Sequence, residues 1–123
     1  MLPPLYVRTF TAEEQQHLTA GLRSTEAFVQ GRVKFRVGRI VYLAFSRDES
    51  SMGFAFPKEW RDALVESEPD KFMLPRESDL RYNWVCVRLA AIDAHELREL
   101  VLDAWAMVVP KSVAAAYAER HAR

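Results

Sequence analysis

One cysteine, Cys86, is all the chain has, so no internal disulfide can form and its own thiolates cannot build a zinc cage. Nowhere do about eighteen uncharged apolar residues follow one another, which removes any candidate for a membrane-spanning helix. The opening Met1-Leu2-Pro3-Pro4-Leu5 has neither a cationic lead nor a sustained apolar run, so a secretory leader is not expected and the cytoplasm is. Charge of one sign is not in surplus: 17 basic and 17 acidic side chains cancel, which excludes bulk attraction to nucleic acid or anionic membrane. Binding to a polyanion must therefore be local. There is no glycine-rich phosphate loop and no strand-to-helix nucleophile elbow. His17, His95 and His121 lie far apart without a partner at ligand spacing, so neither metal nor cofactor is expected.

What is present is enough for one domain spanning residues 1–123, with half of its residues hydrophobic. The most informative stretch is Arg32-Val33-Lys34-Phe35-Arg36-Val37, where cation and apolar residue alternate without a break. Extended backbone sends successive side chains to opposite faces, so Val33, Phe35 and Val37 line a core face while Arg32, Lys34 and Arg36 line the other. No acidic residue occurs between Ala27 and Arg47, and Arg39 adds to the same local excess.

Around this strand the pattern gives a mixed order of elements. Thr11 and Glu14 read as a capping box opening a helix to about Arg23. Residues 32–46 read as a β-hairpin turning at Gly38, which takes positive φ cheaply. Ser51 to Phe56 is a third strand, and Pro57 opens a helix to about Ser67 that is expected to bury Trp60, Ala63 and Leu64. Glu68 to Tyr82, with Pro69 and Pro75, reads as an irregular connection with a short strand around Lys71 to Leu74. Asn83 to Leu89 is a strand with Val85, Val87 and Leu89 on one face and Trp84, Cys86 and Arg88 on the other. Asp93 and Glu96 form a second capping box, ahead of the periodic Leu97, Leu100, Val101, Ala104 and Val108. Pro110 ends that helix, and Ser112 to His121 form a last one. Helices following short antiparallel connections give an α+β layout, an antiparallel sheet with helices packed on one face.

These segments resemble the MmcQ/YjbR family. The resemblance is carried by Phe35-Arg36-Val37-Gly38-Arg39, by Phe56-Pro57 with Arg61 and Leu64, and by Tyr82-Asn83-Trp84-Val85-Cys86-Val87-Arg88-Leu89. It continues through Glu96-Leu97-Arg98-Glu99-Leu100, Asp103-Ala104-Trp105 and Val109-Pro110-Lys111, covering about residues 10 to 118. It implies a secretion-chaperone-like, CyaY-like double-wing architecture and a DNA-binding label for the family.

The residues themselves support a binding module rather than an enzyme. Arg32, Lys34, Arg36 and Arg39 would meet phosphate, with Tyr42, Trp84 and Arg88 on neighbouring strands supplying stacking and secondary contacts. DNA or another polyanion is the expected partner, no membrane is, and the chain is expected to act as monomer or homodimer. The alternative is a protein-interaction adaptor that binds a partner through a helix or sheet surface, as the chaperone-type architecture implied by the resemblance suggests; an acidic protein would also use the cationic face. Cys86 inside a strand reads as inert packing. Asp48, Glu49, Ser50 and Ser51 read as a turn rather than an acid-base pair. Trp60 and Trp105 read as core.

Overall fold

A four-stranded antiparallel meander, extended at one edge by two further strands, carries the architecture. In the computed structural model, which describes residues 25–29 and 31–120, the alternating stretch forms β2 (Arg32–Val37). It pairs antiparallel with β1 (Thr25–Val29) on one side and β3 (Ile40–Phe45) on the other. Gly38 turns the β2–β3 hairpin at φ 59°, and Gly31 turns β1 into β2 at φ 77°, both in the left-handed region that glycine enters without a Cβ clash. Strand β1 has no counterpart among the expected elements. The expected helix over residues 11 to 23 lies outside the described residues.

The chain continues through β4 (Ser51–Ala55), helix α1 (Lys58–Ser67), the two-residue β5 (Phe72–Met73) and β6 (Trp84–Arg88). Helices α2 (Ala94–Val108) and α3 (Lys111–Arg120) follow. All strand pairings are antiparallel, in the order β1-β2-β3-β4-β6-β5. The last strand therefore inserts between β4 and the short β5. This is the α+β layout expected from the residues.

One face of the sheet makes the core. Phe35, Leu43, Phe45, Met52, Phe54, Phe72, Val85 and Val87 are buried there against Leu97, Val101, Ala104 and Trp105 of α2. The ring of Tyr117 in α3 meets Trp105 edge-on, with centroids 5.4 Å apart, which folds the last helix back over the core. Asp93 caps α2 by accepting the Glu96 amide at 2.8 Å. The Glu96 carboxylate completes no reciprocal box; it turns instead to Lys71 Nζ at 2.9 Å, tying α2 to the approach of β5.

Helix α1 is rotated from the expected phase. Trp60 is 63% exposed and Ala63 is exposed, whereas Arg61 is only 8% exposed and Leu64 and Val65 pack partly against the core. Arg61 turns inward because its guanidinium satisfies backbone groups that no apolar side chain could. It donates through Nη1 to the carbonyls of Tyr82 and Trp84, each at 3.0 Å, and through Nη2 to that of Leu80 at 2.8 Å. These bonds hold the segment entering β6. The same segment holds α1 in return: Asn83 Oδ1 accepts the Lys58 amide at 3.0 Å, a cap supplied from another element where Pro57 offers none.

Candidate functional site

On β2 the alternation sorts side chains as expected: Phe35 is buried, with Val33 and Val37 packed beside it, and the cations face away from the core. Arg36 is exposed, as is Arg39 at the turn, while Arg32 and Lys34 are half-buried. Their partial burial has a cause. Both line a cleft of about 770 Å³ on the sheet face opposite the core. Among the described residues no carboxylate forms an ion pair with Arg32, Lys34, Arg36 or Arg39.

Small side chains excavate the cleft. Lys34 pairs with Ala44, Ala44 with Gly53 and Gly53 with Cys86, so the row leading away from the lysine is low. Ala55, paired with Trp84, continues the floor. Gly53 is required by a close approach: a Cβ there would come within 2.8 Å of Trp84 Cζ2, so the half-buried indole lies across the glycine. The far wall is made by Arg76, Asp79, Tyr82 and Asn83. There Asp79 is engaged by Arg76 Nε at 3.0 Å, so that wall is nearly neutral. The Arg81 guanidinium sits 4.8 Å above the half-exposed Tyr82 ring and donates to its hydroxyl at 2.8 Å, holding the phenol in place. Met107 to Pro110, at the end of α2, close one end together with Ile40 and Val41.

Tyr42 does not belong to this surface. It was expected beside Trp84, but it is 1% exposed and joins the core cluster. The reason is a β-bulge: Phe35 pairs with Leu43 and Arg36 with Val41, leaving Tyr42 as an extra residue on β3. The bulge breaks the period of two, sends Tyr42 inward next to Leu43 and leaves Val41 to line the cleft. Arg88 is displaced from the group for a different reason. It shares the open face with Trp84, yet lies beyond the cleft and donates through Nη1 to the Pro69 carbonyl at 3.0 Å. The residues brought together are thus Arg32, Lys34 and Trp84, with Arg36 and Arg39 continuing the cationic line.

Arg76, Asp79, Tyr82, Val41 and Met107 were absent from the expected site. Their segments are separated along the chain, and only the insertion of β6 beside β4 assembles them. The small residues Ala44, Gly53 and Ala55, alternating with Leu43, Phe45 and Phe54, were the available signal.

Other polar groups have structural work. The Asp48 carboxylate accepts from the hydroxyls of Ser46 at 2.8 Å and Ser50 at 2.7 Å and from the Ser50 amide at 3.0 Å, which holds its pKa below the ordinary range. Burial, followed by the charge of Asp79, pushes the Cys86 thiol up, so it stays protonated at neutral pH. Among the described residues no group of acidic, histidine or cysteine side chains could hold a metal ion, and no helix is long and apolar enough to cross a membrane.

Comparison with known proteins places this geometry among relatives. A family model described as YjbR matches residues 20–107. The crystal structure of Deinococcus radiodurans protein DR2400, which carries the family-model domain DUF419, is similar over 89% of this chain and 86% of its own, with a TM-score of 0.63 at 20% identity. That likeness is one of fold. No curated protein matches the sequence.

Proposed function

The chain belongs to the YjbR family, and from that premise we propose that it is a non-enzymatic binding module whose open sheet face holds a polyanion, DNA foremost. The observation that carries this reading is the line Arg32, Lys34, Arg36 and Arg39, free of carboxylate ion pairs among the described residues and running into an aromatic-floored cleft. Cations without a carboxylate partner among the described residues lower the cost of bringing phosphates close, and half-buried cations at a cleft wall are screened less than fully solvated ones. Trp84 and Tyr82 add flat surfaces. Arg88 stays outside the cleft as a secondary contact for a longer ligand.

Fluorescence anisotropy with labelled duplex and single-stranded oligonucleotides at low salt tests the proposal. Micromolar binding is expected, weakened at least tenfold by Lys34→Glu with Arg36→Glu. Absence of binding to either form at micromolar protein would overturn it. A second reading, a protein-interaction adaptor, draws on the exposed Trp60, at 63%, and Leu74, at 50%, which lie outside the cleft lining. Such a surface would hold or tighten its partner as salt rises, opposite to phosphate binding.

A further inference from the structure

The cleft is asymmetric in a way that a simple phosphate track would not be. Its β2 wall is purely cationic, through Arg32 and Lys34, whereas on the opposite wall the lining Arg76 is paired with Asp79 and the neighbouring Arg81 guanidinium is held over the Tyr82 ring. An anionic group inside the cleft is therefore drawn chiefly to the β2 wall. Between the walls the surface is aromatic and aliphatic: Trp84 over Gly53, Tyr82 at the rim, and Val41, Ala44, Ala55, Met107 and Pro110 around them. A ligand that fits must carry a negative charge on one edge and a flat, largely apolar body with hydrogen-bond donors on the other.

Resting on the polyanion reading above, we infer that the ligand is single-stranded nucleic acid, with one unstacked base lying on the Trp84 indole and its phosphates following β2. A duplex keeps its base faces stacked inward and offers only phosphates, sugars and the base edges in its grooves, so it reaches the cations but has no face to lay on the Trp84 indole. On the far wall the Asp79 carboxylate, bonded to Arg76 through Oδ2, keeps Oδ1 as an acceptor for an amino or imino donor of a base edge. A volume of about 770 Å³ falls in the usual range for clefts that enclose small organic groups, and exceeds what an inorganic anion would fill. A strand rather than a lone nucleotide is indicated because the cations continue past the cleft. Arg32, Lys34 and Arg36 repeat every second residue, roughly 6.6 Å apart at the usual strand rise, within reach of successive phosphates of an extended strand. A peptide of acidic residues alone, such as polyglutamate, would satisfy the same cations but has no aromatic ring for the indole.

The experiment compares four probes on the whole chain by anisotropy or competition: a mixed-sequence single strand of about 12 nucleotides, its duplex, a deoxynucleoside monophosphate and polyglutamate. The single strand is expected to bind at least about tenfold tighter than each of the others. Trp84→Ala is expected to cost the single strand about tenfold, Trp84→Phe far less, and the duplex is expected to change less than twofold with either. Because Trp84 also packs on Gly53, Tyr82→Ala serves as a second variant at an exposed position, with a severalfold loss confined to the single strand. Equal affinity for strand and duplex, or for strand and mononucleotide, overturns the inference while the polyanion proposal stands. Unchanged single-strand binding in both aromatic variants does the same. Failure of both strand and duplex to bind, or tighter binding of polyglutamate than of either, overturns the inference and the proposal together.

Discussion

Gly53 shows how a missing side chain can define a site. Its φ needs no special freedom; what it supplies is space, because any Cβ there meets the Trp84 indole. Gly53→Ala is expected to destabilise the chain by about 1–3 kcal/mol, the usual cost of forcing extra volume into packed surroundings. With Trp84→Ala already present, the same substitution should cost less than about 0.5 kcal/mol. Urea unfolding of the two single variants and the double variant measures this coupling, and additive costs would mean that the indole does not rest on the glycine. The same displacement should weaken single-strand binding. Tyr42 teaches the complementary point: a residue in the expected phase for the open face is in the core because one extra residue in β3 shifts it there.

Among the elements, α1 and the segment entering β6 stabilise each other, Arg61 by donating to three carbonyls and Asn83 by capping the helix. Removing the guanidinium strands those carbonyls against the α1 surface. Arg61→Ala is expected to lower stability by about 2–4 kcal/mol in denaturant titration, and Arg61→Lys to recover only part of it, since an ammonium group cannot span the fork that reaches Leu80, Tyr82 and Trp84 together. The turn between β3 and β4 makes a pH-dependent contribution. Hydrogen bonds from Ser50 and Ser46 favour the charged form of Asp48, so its folded pKa lies below the ordinary 3.8. The charge-dependent stability it supplies is thus present above that value and disappears as pH falls through the folded pKa beneath it. Asp48→Ala should be less stable than the parent at about pH 6, and the gap in melting temperature should narrow below pH 3.8. A gap that stays constant to acid pH would show that the carboxylate's charge plays no part. In the same turn Glu49 sits at φ 59°, a conformation that the hydrogen-bonded turn around it holds in place.

For the whole molecule, zero net charge means that the salt response of binding comes from local groups of cations, foremost the line on β2. Four cations meeting phosphates of a single strand give a slope of log K against log salt of about −3 or shallower. In the Lys34→Glu with Arg36→Glu variant the slope should fall to about −1.5 or less. A slope much steeper than −3 would mean that other basic residues, such as Arg76 or Arg88, carry the contact. The cleft itself belongs to this scale, since its walls come from β2, β3, β4, β6, the segment before β6 and the end of α2.

Local physics wrote much of this protein into its sequence. The period-two stretch 32–37 had to be a strand with a cationic side, Gly38 had to turn it, Pro57 and Asp93 had to precede helices, and Pro110 had to end one, because each rests on the geometry of neighbouring residues. Strand β1 was less legible because Thr25-Glu26-Ala27-Phe28-Val29 carries little alternation and is defined mainly by its pairing with β2. The rotation of α1 that exposes Trp60 and buries Arg61 follows from carbonyls about twenty residues away, and the burial of Tyr42 follows from a register shift against β2. Neither leaves a trace in local pattern. Only the packed sheet, by setting β6 beside β4 and bringing the end of α2 to its edge, decided that the cations would border a cleft rather than an open plane.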